Sequence, residues 1–189
     1  MKRIAVFASG SGSNARTLMQ YFEFHADAQV TLLVCNNPDA GVLEIARENG
    51  VETLLVDREQ FYDYRSVSED LKVRGIDLIV LAGFLWLVPP VLVKDFAGRI
   101  VNIHPALLPK FGGKGMYGKH VHKAVLEAGE TESGITIHFV NEHFDEGGHI
   151  AQYSCKVEPG DTVETLAARV QELEHKYYAG GVEKVLEGL

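Results

Sequence analysis

The residues Ile4-Ala5-Val6-Phe7-Ala8 form a short unbroken apolar run that empties directly into Ser9-Gly10-Ser11-Gly12-Ser13-Asn14. An uninterrupted run of this length suits a strand buried on both faces, which implies a parallel sheet covered by helices on either side. From Ala15 to Phe24 apolar residues recur at helical spacing through Leu18, Met19 and Phe22. Strand, glycine-rich turn and helix together make an anion site, because the turn presents backbone amides at the positive end of the helix. A plain strand-to-helix connection seldom needs this density of glycine and serine, so a phosphate cradle is the better reading.

The alternation continues down the chain. Val30 to Cys35 is expected as a strand, Ala40 to Asn49 as a helix closed by Gly50, and Val51 to Val56 as a strand. Tyr62 to Arg74 follows as a surface helix, then Asp77 to Leu81 as a strand, and Pro89-Pro90 opens another helix. This pattern predicts an α/β fold, a doubly wound and mainly parallel sheet in a single domain spanning residues 1–189, with right-handed crossovers. Ligands in such sheets bind along the C-terminal strand edge, where three segments gather: the Ser9 loop, Gly83 to Val88, and Asn102 to Lys110. Beyond them, the glycine- and lysine-rich segment from Lys110 to Gly118 is expected to be mobile. A helix from Val121 to Ala128 comes next, then a strand from Gly134 to Val140, a tight loop from Asn141 to Gly148, and a strand from Ile150 to Val157. A long helix starts near Val163 with Asp161 or Thr162 as its cap.

The net charge of −8 and pI near 5.5 argue against nucleic acid as a steady partner. Small anions remain compatible, since a local nest of amides binds phosphate inside an acidic protein. The two cysteines, Cys35 and Cys155, lie in expected strands and suit buried thiols in a reducing compartment. The basic and then apolar opening, Met1 to Phe7, is too short for a secretory core segment, and no run approaches membrane-spanning length. The expectation is a cytoplasmic protein.

Asn102 and His104 stand at the end of an expected strand, Arg99-Ile100-Val101, with Pro105 and Pro109 forbidding its continuation. Two apart on extended backbone, they share a face, so an amide donor and a group that titrates near neutral pH converge on one point. A capping Asn beside a core His is the bland alternative, at even odds on this stretch alone. Asp145, in a glycine-flanked loop, is the candidate to orient His104 and raise its imidazolium population, although a turn-forming Asp is the simpler account of it. There is no G-x-S-x-G and neither cysteine has an activating setting, so covalent nucleophilic catalysis is not expected. His120 and His122 diverge on a helix, and His138, His143 and His149 follow no metal-ligand spacing, so no metal is expected. The apolar loop Leu85-Trp86-Leu87-Val88 is either core cover or the wall of a flat ligand pocket. An Asn, a His and an Asp beside a phosphate cradle and an apolar slot suit acyl-like transfer between two bound substrates.

Four segments carry a resemblance: Ser9 to Asn14, Leu81-Ala82-Gly83-Phe84, Asn102 to Pro109, and Gly134-Ile135-Thr136 through Phe144-Asp145-Glu146-Gly147-Gly148. Together and in order they resemble the glycinamide ribonucleotide formyltransferases over nearly the whole chain. The resemblance implies a Rossmann-like formyltransferase fold and transfer of formyl from the co-substrate 10-formyltetrahydrofolate to the glycinamide amine in purine synthesis, without metal. It implies that Asn102 stabilises the tetrahedral oxyanion, that His104 assists as imidazolium, and that Asp145 orients His104 and shuttles the proton. It further assigns substrate phosphate and ribose to Gly12, Ser13, Asn14 and Glu174, the last being by sequence alone an exposed helix acid. The folate pocket is implied at Leu85, Trp86, Leu87 and Val88 and at Asn141, Glu142, His143 and Phe144. A family Arg at the substrate mouth is matched by Arg58, with Arg65 as fallback. Residues 1–100 then form a phosphate- and nucleotide-binding half and 101–189 a catalytic and folate-binding half. The chain departs from the family in its longer segment from Lys110 to His122, in Trp86 where several members carry Arg, and in Phe144 where Leu is usual.

Relatives with the same trio formylate initiator methionyl-tRNA or hydrolyse formylfolate, with extra domains that are not expected here. A nucleotide-binding oxidoreductase is the alternative from another class, since Gly10-x-Gly12-x-x-Ala15 fits a loose dinucleotide fingerprint. The acid that should follow about 20 residues later is missing, because the second strand ends in Cys35-Asn36-Asn37.

Overall fold

The computed structural model describes residues 1–63 and 66–189. Each buried apolar run becomes a strand: β1 (Lys2–Ala8), β2 (Ala28–Cys35), β3 (Glu52–Leu55), β4 (Leu78–Leu81) and β5 (Ile100–His104). These five pair in parallel, and β6 (Glu132–Phe139) and β7 (His149–Lys156) extend the sheet antiparallel, in the order β3-β2-β1-β4-β5-β6-β7. The doubly wound, mainly parallel sheet is as the alternation predicts. Strand order reverses between β1 and β4, so the loops leaving those two strands open the crevice where such sheets bind ligands.

Alternating side chains of β1 feed two layers. Ile4, Val6 and Ala8 pack with Leu18 and Phe22 of α1 (Ser13–Phe22), Val42 and Ile45 of α2 (Val42–Glu48), and Val170, Tyr178 and Val182 of the last helix. Ala5 and Phe7 pack on the other face with Phe61 of α3 (Arg58–Tyr62), Leu71 of α4 (Ser66–Val73), and Leu92 of α5 (Pro90–Asp95). The remaining helices are α6 (Lys119–Glu127) and α7 (Val163–Leu186), the latter capped by Thr162, one of the two expected residues. The fully buried Tyr178 of α7 donates its hydroxyl to the Leu81 carbonyl at 2.7 Å, anchoring the helix beneath the end of β4.

Several boundaries differ from expectation for local reasons. The helix expected over Tyr62 to Arg74 is preceded by α3, which starts early because Asp57 and Gln60 form a capping box. α1 ends at Phe22, leaving Phe24 90% exposed. β6 begins at Glu132 because Glu132 and Ser133 pair with Lys156 and Cys155 across the ladder. Cys155 is half-buried, not buried, since β7 is the outermost strand.

Candidate active site

The antiparallel register of β5 and β6 sets Asn102 opposite His138 and His104 opposite Thr136. All four side chains therefore share one face, the outcome expected for Asn102 and His104 from their spacing. The Asn102 Nδ2 lies 3.2 Å from His138 Nε2, and His138 Nδ1 donates to the Phe139 carbonyl at 2.8 Å. Thr136 accepts from the Leu108 amide at 3.0 Å and donates to the Ala106 carbonyl at 2.7 Å, holding the chain where it leaves the sheet.

His104 is 3% exposed and donates Nε2–H to the Phe111 carbonyl at 2.8 Å. That bond leaves Nδ1 to face Asp145 Oδ2 at 3.5 Å. Asp145 Oδ1 lies 3.6 Å from His138 Nε2, and Oδ2 accepts the Gly113 amide at 3.0 Å. The loop that carries Asp145 folds back so tightly that a Cβ on Gly147 would lie 1.6 Å from the Phe139 carbonyl oxygen, a place only glycine can take.

Asp145 pulls His104 in the expected direction, toward the imidazolium, but burial outweighs it. Burial pulls His104 below the ordinary imidazole range, and the opposing pull of Asp145 and the Phe111 carbonyl does not reverse it. Asp145 therefore does not leave His104 charged in the ligand-free site, because removing an imidazolium from water costs more than one carboxylate at this distance returns. Asp145 itself is pushed up by burial, but contact with His138, the proximity of His104 and the Gly113 amide together hold it below the ordinary carboxylate range.

These groups open onto a cavity of about 660 Å³. At one end α1 begins at Gly12, whose φ of 81° and whose virtual Cβ, 2.6 Å from Val42, both require glycine. No side chain caps α1, so its amides are free for an anion. Asn14 lines the cavity and donates Nδ2 to Glu174 Oε2 at 2.8 Å. Glu174 is half-buried in the cavity wall, not an exposed helix acid, and burial raises its carboxyl above the ordinary range, with Asn14 opposing. Gln171, which sequence reasoning missed, also lines this end and donates to the Ser13 hydroxyl at 3.1 Å.

The other end is apolar. Leu85, Trp86, Leu87 and Val88 all line it, with Phe84 and Trp86 resting on Phe61 at ring separations of 5.2 and 5.5 Å. The loop is thus both core cover and cavity wall. Ser9 fixes it in place, its hydroxyl accepting the Leu85 amide at 3.0 Å.

The structure brings Asn14, Leu85 to Val88, Asn102, His104, His143, Phe144, Asp145 and Glu174 to one cavity. Gly12, Ser13, Asn141 and Glu142 do not line it, although Ser13 accepts from the lining Gln171. Arg58 is exposed and outside the lining, its guanidinium 5.5 Å from the Tyr62 ring centre. Arg65 lies outside the described residues. His138 was missed, although Thr136 and His138 show the same two-residue spacing as Asn102 and His104. Among the described residues no three His, Cys, Asp or Glu side chains gather as a metal-ligand set.

A doubly wound sheet with a glycine-rich turn at its switch point and an Asn, a His and an Asp at the same edge is the framework of a group-transfer enzyme. The formyl transferase family model matches residues 2–182, and the chain belongs to that family. It is 36% identical to the phosphoribosylglycinamide formyltransferase of Bacillus subtilis over 98% of this chain and 95% of that protein. It is 46% identical to the chloroplastic phosphoribosylglycinamide formyltransferase of Arabidopsis thaliana over 98% of this chain, spanning 66% of that longer protein. Glycinamide ribonucleotide transformylase 1 of Symbiobacterium toebii superposes with a TM-score of 0.90 at 36% identity, over all of this chain and 89% of that one. Within the family, then, this chain sits with the phosphoribosylglycinamide formyltransferases.

Proposed function

We propose that this chain transfers a formyl group from 10-formyltetrahydrofolate to the amine of phosphoribosylglycinamide, as the names of its relatives indicate for them. The observation that carries the reading is one cavity holding Asn102, His104 and Asp145 between an uncapped helix N-terminus and an apolar wall. The cavity fits both substrates: free amides and Asn14 for a phosphate, Glu174 for ribose hydroxyls, and Leu85 to Val88 for a flat folate ring. Gly12, Ser13, Asn14 and Glu174 hold the ribonucleotide. Leu85, Trp86, Leu87 and Val88, with His143 and Phe144, hold the folate, and Asn141 and Glu142 act by shaping that loop. Arg58 serves the mouth only through Tyr62, whose hydroxyl donates to the Leu87 carbonyl at 3.1 Å.

In the reaction the substrate amine attacks the formyl carbon, giving a tetrahedral oxyanion, and the bond from that carbon to the folate nitrogen breaks. Asn102 offers Nδ2–H to the oxyanion. His104, neutral in the empty site, takes up a proton from solvent once the substrates are bound and returns it when the products leave, so its ion pair with Asp145 is strongest as negative charge develops beside it. Asp145 steadies that imidazolium and passes the amine proton to the departing nitrogen. These transfers balance without a metal.

Both halves contribute to both substrates in this scheme, since Leu85 to Val88 come from residues 1–100 and Glu174 from residues 101–189. No helix of the described residues is long and apolar enough to cross a membrane. The two free thiols suit the cytoplasm, and the net charge of −8 suits small-molecule substrates over nucleic acid. An assay of formylated ribonucleotide formed from phosphoribosylglycinamide and 10-formyltetrahydrofolate tests the proposal. Turnover is expected in the native chain and its loss in His104→Ala, with ribonucleotide binding kept. Release of formate without amine formylation, or full turnover in His104→Ala, would overturn it.

A further inference from the structure

His122 is 5% exposed, lines the same cavity from α6, and makes no hydrogen bond with any described group. Its Nδ1 is sealed from solvent without a partner. A buried N–H left unpaired costs more than an unpaired lone pair, so the ring proton belongs on Nε2, the one nitrogen left to meet a ligand. Burial, and then the nearby His104, hold this ring below the ordinary imidazole range, so it stands as a neutral donor.

Its setting favours an anion. α6 is nine residues long and begins at Gly118 with no side-chain cap, and Gly115, Met116, Tyr117, Gly118 and Lys119 all line the cavity beside it. Side chains on a helix lean toward its N-terminus, so His122, one turn in, covers the same positive pole. The same cavity is lined by Asn14, in the equally uncapped first turn of α1, and by Gln171. Residues at the N-termini of both helices therefore line one cavity.

We infer that His122 is a specificity-determining residue that donates a hydrogen bond to the substrate phosphate, which α1 and α6 clamp between them. The inference rests on the formyl-transfer reading, in which α1 holds the phosphate from one side only. None of the described residues pairs with the ring, so an imidazole is kept where a hydrophobic side chain would pack at lower cost.

The test compares the native chain with His122→Ala and His122→Asn in steady-state formyl transfer and in direct calorimetric titration with phosphoribosylglycinamide and with inorganic phosphate. His122→Ala should raise KM and Kd for the ribonucleotide by about 10- to 100-fold, the effect of one hydrogen bond to a charged group. Its kcat should stay within about threefold, and KM for the folate should not move. His122→Asn, which keeps a neutral donor, should recover part of the affinity. The dephosphorylated nucleoside should bind both variants as it binds the native chain. A penalty that persists with the nucleoside, or a fall in kcat with unchanged ribonucleotide affinity, would overturn the inference. A native chain that binds the ribonucleotide but does not formylate it would instead sink the formyl-transfer reading and leave the phosphate clamp to be judged by titration.

Discussion

Replacing Asp145 by Asn removes one negative charge 3.5 Å from His104 Nδ1 while leaving an oxygen to accept the Gly113 amide. An opposite charge at this range moves an imidazole by about 1 to 3 pH units. His104 is already held low by burial, with Asp145 as the strongest opposing influence, so the variant's imidazole falls further in the same direction. If His104 works as imidazolium, turnover above its pKa scales with the protonated fraction and should fall about 10- to 1000-fold at neutral pH. The sign is fixed: the descending limb of kcat against pH must move to lower pH, and the deficit must shrink as the solution becomes more acidic. Measuring kcat from about pH 5 to 9 for both proteins, with saturating substrates, reads both quantities. A uniform loss with an unshifted limb would refute the electrostatic role and leave Asp145 as a proton carrier alone. Undiminished turnover would remove Asp145 from the mechanism.

Glu174→Gln should raise KM for the ribonucleotide and, unusually for a binding residue, stabilise the ligand-free protein. Its carboxyl is raised by burial, so the folded state holds that proton more tightly than the unfolded state and loses stability as pH rises through the interval between them. Thermal melts should show a higher Tm than the native chain at pH 7 to 8 and no difference below the carboxylate range. Tyr178→Phe leaves the Leu81 carbonyl without its 2.7 Å donor in a fully buried place. It should cost about 1–2 kcal/mol and lower Tm by about 2–8 °C in calorimetry, with KM for both substrates unchanged.

The sheet was legible because its parallel strands are continuous apolar runs separated by glycine and proline punctuation, and period alone identifies these. The glycine-rich turn before α1 was legible for the same reason, since Gly10 and Gly12 follow a strand and open a helix. The Asn102 and His104 pairing followed from the two-residue period of a strand. What stayed hidden depends on contacts far apart in the chain. His138 joins the site only because β6 pairs antiparallel with β5, a register no local pattern prints. Glu174 looks solvated on a helix whose cavity-facing side is set by Tyr178 bonding beneath β4. Asp145 was suspected from its glycines and acts on His104 in the expected direction, but the burial that outweighs it cannot be read from a loop's composition. Family resemblance supplied Glu174 and Arg58, and the structure brings only the first to the cavity wall.

The segment from Lys110 to Gly118, expected to be mobile, touches both His104 and Asp145. His104 Nε2–H is taken by the Phe111 carbonyl and Asp145 accepts the Gly113 amide, so three consecutive residues fix the two side chains against each other. Gly112, between them, has no room for a Cβ, which would lie 2.5 Å from Leu108 and 3.3 Å from Asp145. Phe111 and Asp145 both sit at φ 57°, a left-handed conformation that costs a side-chain-bearing residue about 1–2 kcal/mol. Such strain persists only where surrounding contacts outweigh it, and here those contacts are the hydrogen bonds to the catalytic groups. The consequence is directional. Phe111 takes His104 Nε2–H and leaves Nδ1 facing Asp145, so the strap selects which imidazole nitrogen meets the carboxylate.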